Sequence, residues 1–201
     1  MTLQIVVPGV FTAAGLPDLG LLGFTDTFER ADTTTLGWTE KPRRAWQVQS
    51  TQSTEAGIIG GEAYTRTTSG TTHSVATADA HTADGTFEVT LGAFAAGQFG
   101  PAFRVSSHTS AFRLCSIDGA LYRLNRVDGS TTTALWNSSG ITPTTGDRLK
   151  VVLDGASITV YVNGTKATQV TDSFNQMVTR HGFWNNTATT ANRIRDIAFT
   201  V

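Results

Sequence analysis

The sequence predicts an all-β fold, a two-sheet antiparallel sandwich of jelly-roll type, and three observations predict it. Short segments of alternating or continuous apolar residues recur along the chain from residue 45 to the C terminus, each about the length of a strand. Asp-Gly and Asn-Gly pairs separate them, at 84–85, 118–119, 128–129, 154–155 and 163–164, and these pairs supply the positive φ that tight hairpins need. The composition agrees: 35 threonines and 20 glycines stand against 3 lysines, and charged residues make up only 15%. Strand faces covered by hydroxyls instead of charges give that balance.

From the N terminus, residues 1–24 ("MTLQIVVPGVFTAAGLPDLGLLGF") are apolar, interrupted by Pro8, Pro17 and Asp18. The segment lacks the positive start of a secretory signal and falls short of a membrane span. It reads as an extended arm that docks on another protein or on the domain itself. A first strand followed by a long loop is the equal alternative. The sandwich is assigned to residues 25–201.

The stretch "DTFERADTTTLGWTEKPRRAWQV" at 26–48 poses the sharpest question, because Asp26, Glu29 and Asp32 are spaced three apart. On a strand that spacing sends Glu29 to the face opposite Asp26 and Asp32. Asp26 and Asp32 would then lie roughly 20 Å apart, beyond the reach of a glycosidase carboxylate pair. The segment reads as structure, with Phe28 and Trp46 in the core, Thr33, Thr34 and Thr35 in a connection, and Asp32 organising a turn.

Residues 49–82 are rich in Gly, Thr and Ser, and strands are hard to place there. Beyond them, "TFEVTLGAF", "GPAFRVSS", "SAFRLCSI", "ALYRLNRV", "TTALW", "RLKVVLD", "SITVYVNG", "HGFW" and "RIRDIAFTV" read as strands, after an earlier one at "AWQVQ". "DSFNQMVTR" is the only plausible helical turn.

A formal charge of −1 argues against a nucleic-acid or anionic-membrane partner. The single cysteine, Cys115, excludes an internal disulfide and reads as a small buried hydrophobe. His73, His81, His108 and His181 are scattered without metal-ligand spacing.

The C-terminal third, "GDRLKVVLDGASITVYVNGTKATQVTDSFNQMVTRHGFW…RIRDIAFTV", resembles the concanavalin A-like lectin/glucanase (laminin-G-like) sandwiches. The opening "DTFERADTTTLGWTE…AWQV" is similar to their first strands. The resemblance covers roughly residues 24–201 and implies that the N- and C-terminal strands pair. A Pro-, Gly- and Leu-rich arm leading into "FTDTFERAD" further resembles minor tail proteins of phages that infect actinobacteria. It implies a virion protein made in the host cytoplasm, attached to other virion proteins through residues 1–24 and oligomeric, with a trimer the natural symmetry of a tail tip.

Glucanases of this fold carry a Glu-x-Asp-x-x-Glu strand, which this sequence lacks. The expectation is therefore a non-catalytic protein whose sandwich contacts host cell-surface glycan or neighbouring tail proteins. The alternatives are a purely structural decoration subunit, or a hydrolase or lyase assembling Glu88, Asp118 or arginines from separate strands. No cofactor is expected, although calcium occurs in lectin-like relatives. Glycan binding would use aromatic faces and planar donors, for which the candidates are Arg104, Arg113, Tyr122, Arg123, Trp136, Trp184 and Asn185. Arg113 opposes Phe112 and Leu114 on its strand, and Arg104 opposes Phe103 and Val105. Both arginines are thus expected to line one outer sheet surface.

Overall fold

The chain is described by a computed structural model over residues 21–50, 53–68, 73–95 and 97–201. The expectations placed on residues 1–20 lie outside the described residues. Among those described, fifteen strands form: β1 (Phe24–Asp26), β2 (Gln47–Gln49), β3 (Thr54–Ile59), β4 (Glu62–Thr67), β5 (Ser74–Asp79), β6 (Gly85–Leu91), β7 (Gln98–Ser107) and β8 (Ser110–Ile117). They are followed by β9 (Leu121–Asp128), β10 (Thr131–Asn137), β11 (Arg148–Asp154), β12 (Ser157–Val162), β13 (Thr165–Thr171), β14 (Arg180–Asn185) and β15 (Ile194–Thr200). They build two antiparallel sheets. One runs β13-β12-β11-β6-β15-β4-β3, with β1 added on β15, and the other runs β10-β9-β8-β7-β14-β5-β2.

The strand expectations downstream of residue 82 hold, and β1 pairs with β15 (Phe24 with Phe199, Asp26 with Ile197) as the resemblance implied. Phe24, the last residue assigned to the arm, is the first residue of β1 and is buried. The loosely patterned 49–82 region supplies β3, β4 and β5. Their small residues (Ala56, Gly57, Ala63, Ala76, Ala78) hid the alternation, yet most are buried. Around "DSFNQMVTR" there is no helix. It forms turns, and Asn175 donates from its amide to the carbonyls of Arg104 (3.0 Å) and Ser110 (3.1 Å).

Between the sheets lies the main core. Phe87, Val89 and Leu91 of β6, Leu149, Val151 and Leu153 of β11, and Ile158 and Val160 of β12 face Phe103, Phe112, Leu114, Leu124 and Phe183 of the other sheet. Burying each such side chain contributes roughly 1.5–3 kcal/mol.

The opening stretch closes one end of this core. Phe24, Phe28 and Phe183 surround Trp46 at 5.7–5.8 Å between ring centroids. Asp26, fully buried, is the polar hub beneath them. It accepts from Arg30 (2.6 and 3.2 Å), the Trp46 indole (2.8 Å) and the Phe28 backbone amide (3.0 Å). The first of the three spaced acids therefore holds the fold together. Asp32 does organise a turn, that between β3 and β4, by accepting from the Gly60 amide at 2.7 Å.

Close approach of strands makes one glycine necessary. A Cβ at Gly182 in β14 would lie 1.9 Å from the Ala76 carbonyl oxygen of β5, so only glycine lets these strands pair in this register.

Candidate functional site

The seven-stranded sheet has an unusual outer face. In β7 and β8 long runs are buried on both sides. The inward residues Phe103, Phe112 and Leu114 belong to the main core, while Val75, Ala102, Val105, Ala111, Cys115 and Trp184 form a second cluster outside. Register places Arg113 opposite Asn125 and Cys115 opposite Arg123 on that outer side. The Arg113 guanidinium lies 4.2 Å over the Trp184 ring, and His73 meets the same indole edge-on at 5.1 Å. Arg113 donates to the His108 carbonyl in the β7–β8 turn.

Burial sets the electrostatics here. It lowers the Arg113 pKa to about 10, leaving the guanidinium charged at neutral pH. It lowers His73 to about 4, helped by the Arg113 charge, and His108 falls for the same two reasons. Cys115 is pushed up to about 12 and stays a thiol.

Of the seven residues expected to contact sugar, the fold brings Arg113, Arg123 and Trp184 together on this face and sends the other four between the sheets. Arg104 is the clearest correction. It has φ +49° at a register shift between Phe103 and Ser107, which breaks the alternation assumed from sequence. Its side chain is fully buried and donates to Asp84 (2.9 Å) and the Gly155 carbonyl (2.7 Å) of the opposite sheet. Tyr122 is buried with its hydroxyl on Asp147 at 2.5 Å. Trp136 packs half-buried against the main core after a bulge in β10. Asn185 is buried and donates to the Thr65 carbonyl of the opposite sheet at 2.8 Å.

A second region was missed. Trp38 and Ala45 pair as an isolated bridge in a tight hairpin that turns through a cis Lys41–Pro42 bond. Thr39 braces it, donating from its hydroxyl to the Pro42 carbonyl and accepting from the Arg44 amide. Trp38 stands 52% exposed with Arg43 5.6 Å over its ring. It lines an open cleft of about 410 Å³ with Arg30, Thr33, Thr35, Thr39 and Glu40. A second cleft of about 520 Å³ shares Thr35, Leu36 and Gly37 and extends past Val48 and Glu55. The signal in the sequence was a tryptophan set among turn and charged residues, "GWTEKPRR", where no core pattern requires it. These open clefts lie at the edge between the sheets, whereas the buried charged cluster sits on the face of one sheet.

Glu88 stands opposite Lys150 on the outer face of the eight-stranded sheet, and Asp118 occupies the β8–β9 turn of the other. Among the described residues no group of three His, Cys, Asp or Glu side chains is placed to hold a metal ion.

No family model and no curated protein matches the chain. Solved structures do. A Bacillus subtilis protein of unknown function with a galectin-like fold aligns at a TM-score of 0.54 and 12% identity, over 77% of this chain and 88% of that one. Bacillus licheniformis β-glucanase aligns at 0.53 and 14%, over 90% and 98%. A conserved carbohydrate esterase from the Shiga toxin-encoding bacteriophage phi24B aligns at 0.51 and 14%, over 89% and 96%. These likenesses define the class by fold: a lectin/glucanase-type jelly-roll sandwich, as the sequence implied.

Proposed function

We propose that the protein is a non-catalytic glycan-binding component of a phage virion, a minor tail protein whose sandwich meets host cell-surface polysaccharide. The observation that carries the glycan part is Trp38. Large indole rings are ordinarily buried at least in part, and this one is displayed on a braced hairpin in an open cleft among hydroxyls and two arginines. A pyranose ring presents a C–H face to such an indole, while Arg43 and Glu40, which line the same cleft, are placed to bond its hydroxyls. The reading needs no cofactor.

For the virion part, support comes from the N-terminal composition and from Leu21 and Leu22. These are 60% and 53% exposed where the apolar segment enters the domain, as an attachment surface would leave them. The segment ahead of β1 would join neighbouring virion proteins, and a trimer would match the threefold symmetry common in tail tips. The phage esterase with this fold adds only that phages use it. Glu88 and Asp118, on different sheets, favour binding over hydrolysis.

Retention on purified host envelope, with released sugars assayed in the same tube, tests this. Wild type is expected to bind without releasing sugar, and Trp38→Ala to lower retention about tenfold or more at unchanged thermal midpoint. Sugar release lost in Glu88→Gln would make it an enzyme. No retention by wild type would leave the decoration subunit.

A further inference from the structure

We propose that the outer face of the seven-stranded sheet holds an oxyanion-binding subsite built on Arg113 and walled by Trp184, His73, His108 and Asn125, which takes a carboxylate or phosphate group carried by the bound glycan. The polymer rests on the glycan-binding reading above; the anion subsite does not.

Arg113 is 3% exposed, and a charge so removed from water needs a partner. Fully buried Arg104 illustrates the rule, and Arg66 and Arg126, 33% and 36% exposed, follow it even with water at hand. Arg104 has Asp84, Arg126 has Asp172 and Arg66 has Glu55. Arg113 has no carboxylate among the described residues. A guanidinium carries five N–H donors, and the one hydrogen bond Arg113 makes there goes to the neutral His108 carbonyl. The Trp184 ring covers one face of its plane, and beyond the bond from Nη2 to the His108 carbonyl the rest of the in-plane fork is left to a ligand. That fork matches a carboxylate or phosphate in bidentate geometry.

The neighbours point the same way. Trp184 Nε1, His73 Nδ1, His108 Nε2 and Asn125 Oδ1 are all buried without a hydrogen-bond partner. Native folds leave few such atoms, and their concentration around one unpaired cation marks a ligand position. Trp184 Nε1 can only donate, and each neutral histidine donates from one nitrogen, so an acceptor-rich group suits the set. Asn125 Oδ1 accepts from an adjacent sugar hydroxyl. Strands β7, β8 and β14 contain no acidic residue that would repel an anion. Asp79, at the end of β5, is engaged by Thr179 (2.7 Å) and the His81 amide (2.8 Å).

The test is an NMR titration of the full chain at constant ionic strength, following the Arg113 Nε–H and the indole resonances of Trp184 and Trp38. The Trp184 resonance is assigned with Trp184→Phe. Three probes are used: inorganic phosphate, an oligogalacturonate, and the same oligosaccharide with its carboxyls reduced to alcohols. Saturable shifts at Arg113 and Trp184 are expected with phosphate or the oligogalacturonate and not with the reduced form. Whichever of the two anions saturates identifies the group as phosphate or carboxylate. Arg113→Met should abolish the shift at Trp184, and Arg113→Lys, which keeps the charge and loses the fork, should weaken binding about tenfold. Shifts that never saturate, or that persist in Arg113→Met, overturn the subsite. Envelope retention that depends on Trp38 and ignores Arg113→Met would keep the glycan reading and remove this one. Saturable anion binding without envelope retention would do the reverse.

Discussion

The two sides of the seven-stranded sheet solve the same problem differently. On its inner side the polar groups are engaged across the sandwich. Tyr122 meets Asp147, Asn185 meets the Thr65 carbonyl, and Arg104 meets Asp84 and Gly155. His181 accepts from the Arg104 amide at 3.4 Å and reaches the Thr82 carbonyl at 3.3 Å. Arg104 leaves Nε and one terminal nitrogen unpaired, but its charge is neutralised. On the outer side Arg113 has a neutral carbonyl and an indole ring but no carboxylate, and four neighbouring polar atoms are buried without a hydrogen-bond partner. Burial alone does not separate structure from recognition. What separates them is whether the buried polar groups satisfy one another, because an unsatisfied group costs about 1–3 kcal/mol that a ligand can return. Perturbing the inner side should therefore register as stability and perturbing the outer side as binding.

The largest stability effect is expected at Asp26, the hub of the inner layer. Asp26→Ala leaves the Trp46 indole and the Phe28 amide without an acceptor and Arg30 without its ion pair. The loss should be on the order of 3 kcal/mol, read from the midpoint of urea denaturation. A loss below that of an exposed-charge substitution would mean that the aromatic cluster holds this end of the core by itself.

Histidine titration sharpens the contrast next. Burial depresses the His181 pKa to about 3, from an ordinary value of 6.5. The unfolded chain takes up this proton as pH falls below 6.5, and the native state refuses it until about 3. The stability tied to neutral His181 is thus complete above about 6.5 and declines by roughly 1.4 kcal/mol per pH unit on acidification through that window. Replacing His181 with Gln should flatten the dependence of unfolding free energy on pH between 6 and 4. His73→Gln on the outer side should flatten it less as pH approaches 4, because native His73 already takes up its proton there, at a pKa of about 4. Equal slopes for the two variants would erase the distinction between the sides.

How much of this the sequence revealed depends on the local regularity of each strand. β11 and β12 alternate cleanly, as does β15 beyond its bulge between Ile194 and Asp196, and their core residues could be read directly. So could Phe28 and Trp46, and the Asn163-Gly164 turn, where both residues have positive φ. Arg113 was legible because β8 keeps its period of two. Arg104 was not, because a single residue at φ +49° reverses the face of everything beyond it, and nothing in "AFRVSS" announces that. The residues that pin this bulge come from Asn175, seventy-one positions away. Trp184 was placed on the right strand, but the close packing around it rests on Gly182, which lets β14 approach β5, and on Gly100, which lets β7 approach β8. Trp38 escaped because its display follows from a hairpin fixed by Thr39, and side-chain bracing of that kind leaves no periodic trace.

The smallest expected effect is chemical and probes how firmly the outer side is closed. Cys115 lies in the floor of that face, fully buried between Arg113 and Ile117 along β8, with Asn125 Nδ2 3.7 Å from its sulfur and the Arg123 carbonyl at 3.6 Å. Its pKa of about 12 leaves almost no thiolate at pH 8, and only the thiolate attacks an alkylating reagent. Native protein should therefore resist iodoacetamide at pH 8 for as long as it stays folded, and the residual rate should fall further when a ligand occupies the face. Rapid labelling at an unchanged thermal midpoint would show that the outer face opens without unfolding. Its unpaired atoms would then be met by water in the open state, and the unmet hydrogen-bonding capacity that drives ligand binding there would be smaller than the closed geometry implies.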